Sequence, residues 1–554
     1  MDQGAEGDSR HERGVRSGGL LQVAAALVWL PQAALLALAV DRIADGGGVQ
    51  AVLWPAVLVL GLGLIRAALD AAGNRLAFRA ARAALSDQRD QALAALGAGS
   101  PLDSGRPASG LAASVIAEQA DAVTPYLARF RPARLKATVV PLAILAAVLP
   151  LSWAAALVLL VAAPLIPVFM ALIGWRAKAA SEAQMAELGG MNGFLLDRLR
   201  GLATIRGLGA VDLTARRLRT NAEALRRRTM AVLRIAFLSS AVLELFAALG
   251  VAMVAVYVGF HLLGQLEFGA WGAKLSLAQG LFILLLAPAF FEPLRDLSAV
   301  WHDRAAGEAA IGALRRLSVG RLALPGAAVH VAQPMSQLMA APTVRIEGLS
   351  YRHAGAAAPV FDDFHLTVQP GEHVALLGPS GSGKSTLLAL IAGLAPAAGG
   401  RIVIGDTALT TETAQALRRR MAWIGQRPFI FAGSIRANVA LGRTGIRAAD
   451  VEAALRAVAL GETAARRSGA EIGEGGAGLS GGEVLRLALA RAAADAQADL
   501  LLVDEPTAHL DGATAADVGN GLMAIAKGRT LILATHDPVL AARMDRIVRL
   551  EAQS

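Results

Sequence analysis

One stretch of nine residues constrains this chain more than any other part of its sequence. It reads Gly378-Pro379-Ser380-Gly381-Ser382-Gly383-Lys384-Ser385-Thr386 and matches the phosphate-binding loop pattern G-x-x-x-x-G-K-[ST]. Residues 373–377 before it predict a buried strand, and residues 387–392 after it predict a helix. The glycines let backbone N–H groups surround an anion at the helix N-terminus. The sequence therefore predicts an ATP site, with Lys384 on the β- and γ-phosphates and Ser385 on Mg²⁺.

The apolar content of the chain predicts that much of it lies in a membrane. Of its 554 residues 55% are apolar and only 18% are charged, which is too apolar for an ordinary soluble enzyme. The apolar excess lies in the first half, so a membrane domain is followed by a soluble one. The net charge of +9 comes from arginines beside apolar segments, which favours cytoplasmic loops over a nucleic-acid partner. The absence of cysteine excludes disulfides and thiol catalysis within the chain.

Six apolar segments are interpreted as transmembrane helices: residues 20–40, 51–65, 139–149, 153–174, 235–263 and 275–291. Residues 1–19 are polar and are expected to form a disordered tail. The first segment could instead be a signal peptide, because Ala37-Leu38-Ala39 resembles a cleavage site, but its length favours a membrane helix.

Charge asymmetry predicts the orientation of these segments. The connections between the second and third segments, and between the fourth and fifth, are long and rich in arginine, whereas the other connections hold few cations. Both termini are therefore expected in the cytoplasm of a bacterial cell, with the chain in the plasma membrane. The predicted division is a tail at 1–19, a transmembrane domain at 20–314, a linker at 315–342 and a nucleotide-binding domain at 343–554.

Four residues of the soluble domain suit ATP hydrolysis. A buried strand ends in two carboxylates, of which Asp504 suits the Mg²⁺ shell and Glu505 suits a general base for water. Gln426 follows another strand and is expected to contact Mg²⁺ and the attacking water. His536 follows a third strand, where it could bond the γ-phosphate and fix that water.

Two further features concern nucleotide binding. Leu479-Ser480-Gly481-Gly482-Glu483 opens a helix, so the Ser480 hydroxyl and the amides of Gly481 and Gly482 form a second anion-binding helix start. One polypeptide rarely offers two such sites to one phosphate. Tyr351 lies just before the first long insertion of the domain, where its ring could stack on adenine; burial in the core is the alternative.

This series of motifs resembles that of ATP-binding cassette (ABC) proteins, and the resemblance covers the whole chain. This resemblance implies that Tyr351 stacks on adenine, that residues 378–386 form the Walker A loop and that Gln426 is the Q-loop residue. It also implies that residues 479–483 form the signature and that Asp504 and Glu505 are the Walker B residues. Asp511 would then be the D-loop residue and His536 the switch histidine. The resemblance implies six membrane helices fused to an α/β P-loop NTPase domain, as in exporter half-transporters. It also implies two cassettes that sandwich ATP between one chain's Walker A and the other chain's signature, so the chain is expected to pair.

One residue departs from the family pattern. The signature usually ends in Gln, whereas Glu483 stands here. Because Ser480 and the glycines are retained, a usable but slower site is expected opposite this signature.

The membrane half resembles the CydD family of exporter subunits in three stretches, residues 237–246, 255–260 and 286–297. That resemblance implies a heterodimer with a CydC-like subunit and export of cysteine and glutathione in support of cytochrome bd assembly. Residues 289–292 read Ala-Phe-Phe-Glu and depart from the family pattern. In that pattern an acidic residue is expected before the aromatic residues and Gln after them. Haem is associated with this family, but neither His261 nor His302 sits in a ligand motif, so no haem site is assigned.

Three charged residues of the membrane half are candidates for substrate binding. Glu244 lies inside the fifth segment, where a carboxylate is unfavourable unless it is paired or faces water. Arg66 and Asp70 share a helix face near the inner end of the second segment and are expected to pair. The alternative is that Arg66 extends toward the membrane surface and that Glu244 bonds a neighbouring helix.

Two other functions remain open at this point. A homodimeric exporter of lipids or drugs would favour a smooth apolar cavity and no partner gene. A membrane sensor with a silent cassette is disfavoured, because such cassettes commonly lose Glu505 or His536.

Overall fold

The structure is a computed structural model, which describes residues 2–163, 194–195, 198–199, 201–272, 274–319, 322–327, 340–443, 445–466 and 471–551. The chain forms two compact units. The first contains Met1–Ala92 and Ser109–Arg316, and the second contains Leu93–Ala108 and Leu317–Ser554. The predicted domain boundaries remain a prediction, and the inclusion of Leu93–Ala108 in the second unit was not anticipated.

The first unit is helical. Its described helices are α1 (Asp2–Leu27), α2 (Trp29–Ala44), α3 (Val49–Gly97), α4 (Ser109–Ala117), α5 (Arg131–Val148), α6 (Trp153–Ala163), α7 (Leu202–Gly207), α8 (Val211–Leu262), α9 (Leu277–Ala299) and α10 (Trp301–Ser318). α3 continues into the second unit. At 49 residues it is far longer than the roughly 20 residues that cross a bilayer, so it extends well beyond the second apolar segment.

Four helical stretches among the described residues are long and apolar enough to cross a membrane: Arg10–Ala44, Val49–Gly97, Glu244–Leu262 and Leu277–Ser318. The third predicted segment lies within α5, whose first turns are basic, and the fourth begins with α6. Residues 164–174 of the fourth segment fall outside the described residues. The total of six spans therefore remains a prediction.

The predicted disordered tail is instead part of helix α1, so that expectation is wrong. Small residues explain the difference, because α1 and α3 approach closely where Gly18 faces Gly73 and Ala77. A Cβ atom at Gly18 would lie 2.8 Å from the Gly73 carbonyl oxygen and 2.8 Å from the Ala77 nitrogen. The His11 Nε2 atom also lies 2.6 Å from the Asp87 carboxylate. Close backbone packing through small residues stabilises helix pairs in membrane proteins.

Replacement of Gly18 by Ala is expected to destabilise the transmembrane unit by about 1–3 kcal/mol, because its Cβ overlaps the α3 backbone. Thermal unfolding of the purified complex measures this effect. Gly61→Ala in α3 is the matched control, since no atom lies within 4 Å of its added Cβ. Equal unfolding temperatures for the two variants would contradict the close packing of α1 on α3.

The second unit contains two sheets. An antiparallel sheet has the strand order β2-β1-β4-β5, with β1 (Val344–Tyr351), β2 (Phe361–Val368), β4 (Gly399–Ile404) and β5 (Thr407–Ala408). A parallel sheet has the order β6-β7-β8-β3-β9, with β3 (His373–Leu377), β6 (Met421–Ile424), β7 (Leu500–Asp504), β8 (Thr530–Thr535) and β9 (Arg546–Arg549). The predicted strands before the phosphate-binding loop and the two carboxylates are confirmed as β3 and β7.

Helices cover the parallel sheet. They are α11 (Lys384–Ile391), α12 (Ala414–Arg418), α13 (Ile435–Ala440), α14 (Ala448–Ala457), α15 (Gly461–Arg466), α16 (Gly481–Ala493), α17 (Gly512–Ala526) and α18 (Pro538–Ala541). Every residue of β7 and β8 is buried, as expected for parallel strands packed on both faces.

The side chains of β7 alternate between two hydrophobic clusters of the second unit. Leu500 and Leu502 join a cluster with Leu387 and Leu388 of α11. Leu501 and Val503 join a second cluster with Leu487 and Leu489 of α16, among others. Because successive strand residues point to opposite faces, α11 and α16 lie on opposite faces of the parallel sheet.

Candidate nucleotide site

The predicted catalytic residues follow strands that end at one edge of the parallel sheet. Gln426 follows β6, Asp504 ends β7, His536 follows β8 and the loop at 378–383 follows β3. These four strands are neighbours in the order β6-β7-β8-β3 and all run parallel. Ligands bind at such an edge, beyond the carboxyl ends of the strands.

The phosphate-binding loop has the conformation that its glycines predict. Gly383 adopts a φ of +88° immediately before α11, and a Cβ there would lie 2.6 Å from Val360. Only glycine fits this position without strain or displacement of its neighbours. Lys384 is 5% exposed, and its Nζ donates to the carbonyls of Gly378 and Pro379 at 2.8 Å each. The loop therefore holds a buried cation against its own carbonyl oxygens.

Asp504 and Ser385 fit a divalent cation. Asp504 is 5% exposed, and burial raises the pKa of its carboxyl group, while a hydrogen bond from Ser385 acts in the opposite direction. Its Oδ1 atom is buried and has no hydrogen-bond partner among the described residues. A buried carboxylate of this kind needs a compensating positive charge. Mg²⁺ would supply that charge.

The Glu505 carboxylate joins the two other predicted catalytic residues. Gln426 Nε2 donates to Glu505 Oε2 at 3.0 Å, and His536 Nδ1 lies 3.3 Å from Glu505 Oε1. The Glu505 backbone has a φ of +46°, which is uncommon for a residue with a side chain, and its N–H donates to the Ala534 carbonyl at 2.8 Å. Such strained residues are concentrated at functional sites.

The structure places Tyr351 in the core rather than at the loop. Its side chain is 6% exposed within the cluster that contains Leu387, and burial raises the pKa of its hydroxyl. The histidine two residues later, which belongs to none of the sequence motifs, lies at the loop instead. His353 Nε2 is 3.2 Å from the Thr386 hydroxyl, and its ring meets the Tyr351 ring edge-on at 5.1 Å. Tyr351 therefore supports His353 and offers little ring surface to a ligand.

The signature forms a helix N-cap in which Glu483 takes part. The Ser480 hydroxyl accepts from the Glu483 N–H at 3.3 Å, and the Glu483 carboxylate accepts from the Ser480 N–H at 2.8 Å. This reciprocal capping box stabilises the start of α16. It also places a negative charge at the helix end that would face a phosphate, which explains physically why a slower site is expected opposite this signature.

Glu483→Gln is expected to raise ATP turnover at the site that contains this signature by about 2–10-fold. Glutamine keeps a side-chain acceptor for the cap but removes a charge that repels phosphate. The measurement is steady-state ATPase activity of the paired complex. Glu452→Gln in α14, which loses only an exposed ion pair with Arg436, is the matched control. Unchanged or lower turnover for Glu483→Gln alone would contradict the electrostatic explanation.

The D-loop residue Asp511 is engaged within its own domain. Its Oδ1 accepts from the Thr514 N–H at 3.0 Å, and its Oδ2 accepts from the Thr514 hydroxyl at 2.7 Å. These bonds cap α17 and lower the pKa of Asp511. The structure therefore shows a capping role for this residue, and its predicted nucleotide contact remains a prediction.

The candidate substrate residues of the membrane half separate into two groups. Arg66 and Asp70 line one cavity, whereas Glu244 is exposed on α8 and does not line it. The expected Arg66–Asp70 ion pair is not formed. Arg66 instead lies over the Trp29 ring at 5.5 Å, and Asp70 accepts from Asn74 at 3.0 Å. The order cation-then-acid at i, i+4 is the less favourable one along a helix, which accounts for the difference.

His261 and His302 of the membrane half lie in different surroundings. His261 is 2% exposed, and its Nε2 accepts from the Leu275 N–H at 3.2 Å. His302 lies exposed on α10. No cluster of three or more His, Asp or Glu residues suited to a metal ion occurs in the described part of the chain.

The chain matches two protein families, described as ABC transporter over residues 361–508 and ABC transporter transmembrane region over residues 17–285. It is 36% identical to the glutathione/L-cysteine transport system ATP-binding/permease protein CydD of Haemophilus influenzae, over 86% of this chain and 80% of that protein. It is 28% identical to the corresponding CydC protein of Bacillus subtilis, over 96% of this chain and 90% of that protein. A solved bacterial Atm1-family ABC exporter with ATP bound aligns with a TM-score of 0.72 at 24% identity, covering 98% of this chain and 93% of that chain, which shows the exporter fold.

Proposed function

The chain belongs to the ABC transporter family as a CydD-type half-transporter, and from this premise we propose that it exports small thiols across the plasma membrane together with a CydC-type chain. ATP hydrolysis drives transport in this family, and the cassette of this chain is its ATPase domain. The observation that supports the proposal best is the Glu505 carboxylate, which is in contact with Gln426 and lies beside His536.

Hydrolysis follows from the roles that these groups can take. Glu505 orients a water molecule and accepts its proton as the water attacks the γ-phosphorus. His536, beside Glu505, donates to a γ-phosphate oxygen and fixes its position. Lys384, within the loop at 378–386, neutralises the developing charge on the phosphates. ADP then leaves with the electron pair of the broken P–O bond.

Three residues would hold Mg²⁺ at this site: Ser385, Asp504 and the side-chain oxygen of Gln426. The Gln426 amide nitrogen already donates to Glu505, which leaves its oxygen available. When bound there, Mg²⁺ would neutralise negative charge on the phosphates.

Pairing is supported by the placement of the two phosphate-binding helices. The Walker A helix α11 and the signature helix α16 lie on opposite faces of the parallel sheet, in separate core clusters. One phosphate cannot meet both helix starts of a single cassette, so a second cassette has to supply the missing half. A CydC-type chain is the proposed partner, because the chain resembles proteins named as CydD and CydC.

The proposed substrates are glutathione and cysteine, which appear in the names of the CydD and CydC relatives. The excess of arginine in the connections on one side supports a cytoplasmic cassette, and the exporter fold supports transport out of the cytoplasm.

His353 is proposed as the adenine contact in place of Tyr351. His353→Ala is expected to weaken ATP binding about 2–10-fold, the usual contribution of one aromatic stacking contact. Nucleotide titration of the purified complex measures this change. His365→Ala in β2, an exposed histidine that contacts Asp363, serves as the matched control. Unchanged ATP affinity in His353→Ala would refute this assignment.

The proposal is tested by purifying the chain alone, the CydC-type chain alone and the two together. We expect ATPase activity stimulated by glutathione or cysteine only in the pair. Full activity in a homodimer of this chain, stimulated by lipids or drugs and not by thiols, would instead support the homodimeric exporter.

A further inference from the structure

The transmembrane unit contains a polar cavity that the ATPase chemistry does not use. It has a volume of about 850 Å³ and is bounded by α1, α2, α3, α5 and α9. Pockets for small organic ligands commonly measure about 300–1,000 Å³. Its charged and amide side chains are Gln22, Arg66, Asp70, Lys136, Glu292 and Arg295.

Four of the five charged residues of this cavity flank the ends of predicted spans. Arg66 directly follows the apolar segment at 51–65, and Lys136 precedes the segment at 139–149. Glu292 and Arg295 follow the segment at 275–291. All four therefore lie at the ends of the spans that are predicted to face the cytoplasm. This is the side on which an exporter takes up its substrate.

Two buried donors in this cavity have no acceptor. Gln22 is 9% exposed, and its Nε2 atom has no hydrogen-bond partner among the described residues. The Arg295 Nε atom is likewise buried and without a partner there. Buried donors in proteins are normally paired. Two such donors lining the same cavity are suited to a ligand that supplies acceptor oxygens, such as a carboxylate.

The other charges define the ligand further. Lys136 is already paired with Asp296 at 3.2 Å, and Arg66 lies over the Trp29 ring. Asp70 and Glu292 add two carboxylates to the lining. A phosphate or phospholipid headgroup would meet repulsion from these acids. A peptide with both carboxylates and an ammonium group matches the mixed lining better.

We propose that this cavity is the cytoplasmic loading site for a glutathione-type peptide, with Gln22 and Arg295 donating to a peptide carboxylate and Asp70 and Glu292 accepting from its ammonium group. The inference rests on the proposed thiol export and assigns that function a binding site. Trp29 and the aliphatic residues around it cover the uncharged part of the peptide. Free cysteine is smaller and would fill only part of the volume.

The test measures binding of reduced glutathione to the purified paired complex by calorimetry without nucleotide. Arg295→Gln is expected to weaken binding about 10–100-fold, since it removes a hydrogen bond to a charged group. Arg82→Gln, an exposed arginine of α3 outside the cavity, is the matched control and should bind as wild type does. Gln22→Leu, which keeps the size but removes the donor, should weaken binding in the same direction. Monodispersity and thermal unfolding establish that each variant is folded.

A second ligand identifies the group that Arg295 contacts. Glutathione esterified at one or both carboxyl groups should bind the wild-type complex more weakly than glutathione does, and Arg295→Gln should reduce that difference. Equal glutathione affinity in wild type, Arg295→Gln and Gln22→Leu would overturn the site. Loss of co-purified phospholipid in Arg295→Gln with unchanged glutathione binding would show a lipid site and also overturn it. If the wild-type complex neither binds nor transports glutathione, the export function itself fails, which is a separate outcome.

Discussion

Glu505→Gln is expected to lower ATP hydrolysis at the site of this chain by about two to four orders of magnitude, the usual contribution of a general base. Glutamine keeps the size of the side chain and its contact with Gln426, which lies 3.0 Å away in the structure, but cannot accept a proton from water. ATP should still bind, because binding depends on the Walker A loop and the opposite signature. The complex is therefore expected to stall with ATP enclosed between closed cassettes.

The measurement is the ATPase rate of the paired complex with and without glutathione, together with the amount of ATP retained after rapid removal of free nucleotide. Glu372→Gln is the matched control: Glu372 is ion-paired with Arg546 at 2.7 Å, away from the strand ends that carry the site. Near-normal hydrolysis in Glu505→Gln would contradict the assignment of Glu505 as the main general base. It would indicate that the partner's Walker B residues carry out most of the ATP hydrolysis.

Lys384→Ala is expected to reduce ATP hydrolysis at the same site by about 10²–10³-fold, as removal of one preorganised charge-stabilising group commonly does. Unlike Glu505→Gln, this variant should also bind ATP poorly, because the loop loses its buried cation. The loop carbonyls of Gly378 and Pro379 lose their donor as well.

Nucleotide titration and ATPase assays of the paired complex separate these two variants. Lys527→Ala, an exposed lysine at the end of α17, is the control and should behave as wild type does. Tight ATP binding by Lys384→Ala, with hydrolysis retained, would show that this loop is not the working phosphate site.

The nucleotide site was largely predictable because it is encoded locally. A glycine-rich loop between a buried strand and a helix has few alternative structures, and β3 was predicted with its observed bounds. Parallel strands then bring Gln426, Glu505 and His536 to one edge, although they are far apart in sequence. The contacts of Glu505 with the other two residues could be identified only from the structure.

Some features of the fold depended on contacts that sequence patterns do not show. The interval at 1–19 reads as a polar tail, but its small residues pack on α3, which a composition argument does not detect. The spacing of Arg66 and Asp70 permits an ion pair, yet Trp29 from another helix competes for Arg66. In both cases a contact with another helix determined the observed structure.

The surroundings of two site residues are encoded to different extents in the sequence. Strict alternation from the buried Val344 and Ile346 would place Tyr351 on the exposed face of β1, and register shifts after Ile346 turn it into the core instead. The ring that reaches the loop belongs to His353, just beyond that strand. The spacing of Ser480 and Glu483 is that of a capping box, so the sequence alone predicts that the Glu483 side chain caps α16.

ATP-driven transport of glutathione into inside-out membrane vesicles is the direct test of thiol export by this chain. Vesicles that contain this chain and its CydC-type partner should accumulate labelled glutathione when ATP is supplied. Vesicles with Glu505→Gln should not accumulate it, although they contain the same amount of both chains. Equal accumulation in wild-type and Glu505→Gln vesicles, or accumulation without ATP, would contradict the account of this chain as an ATP-driven thiol exporter subunit.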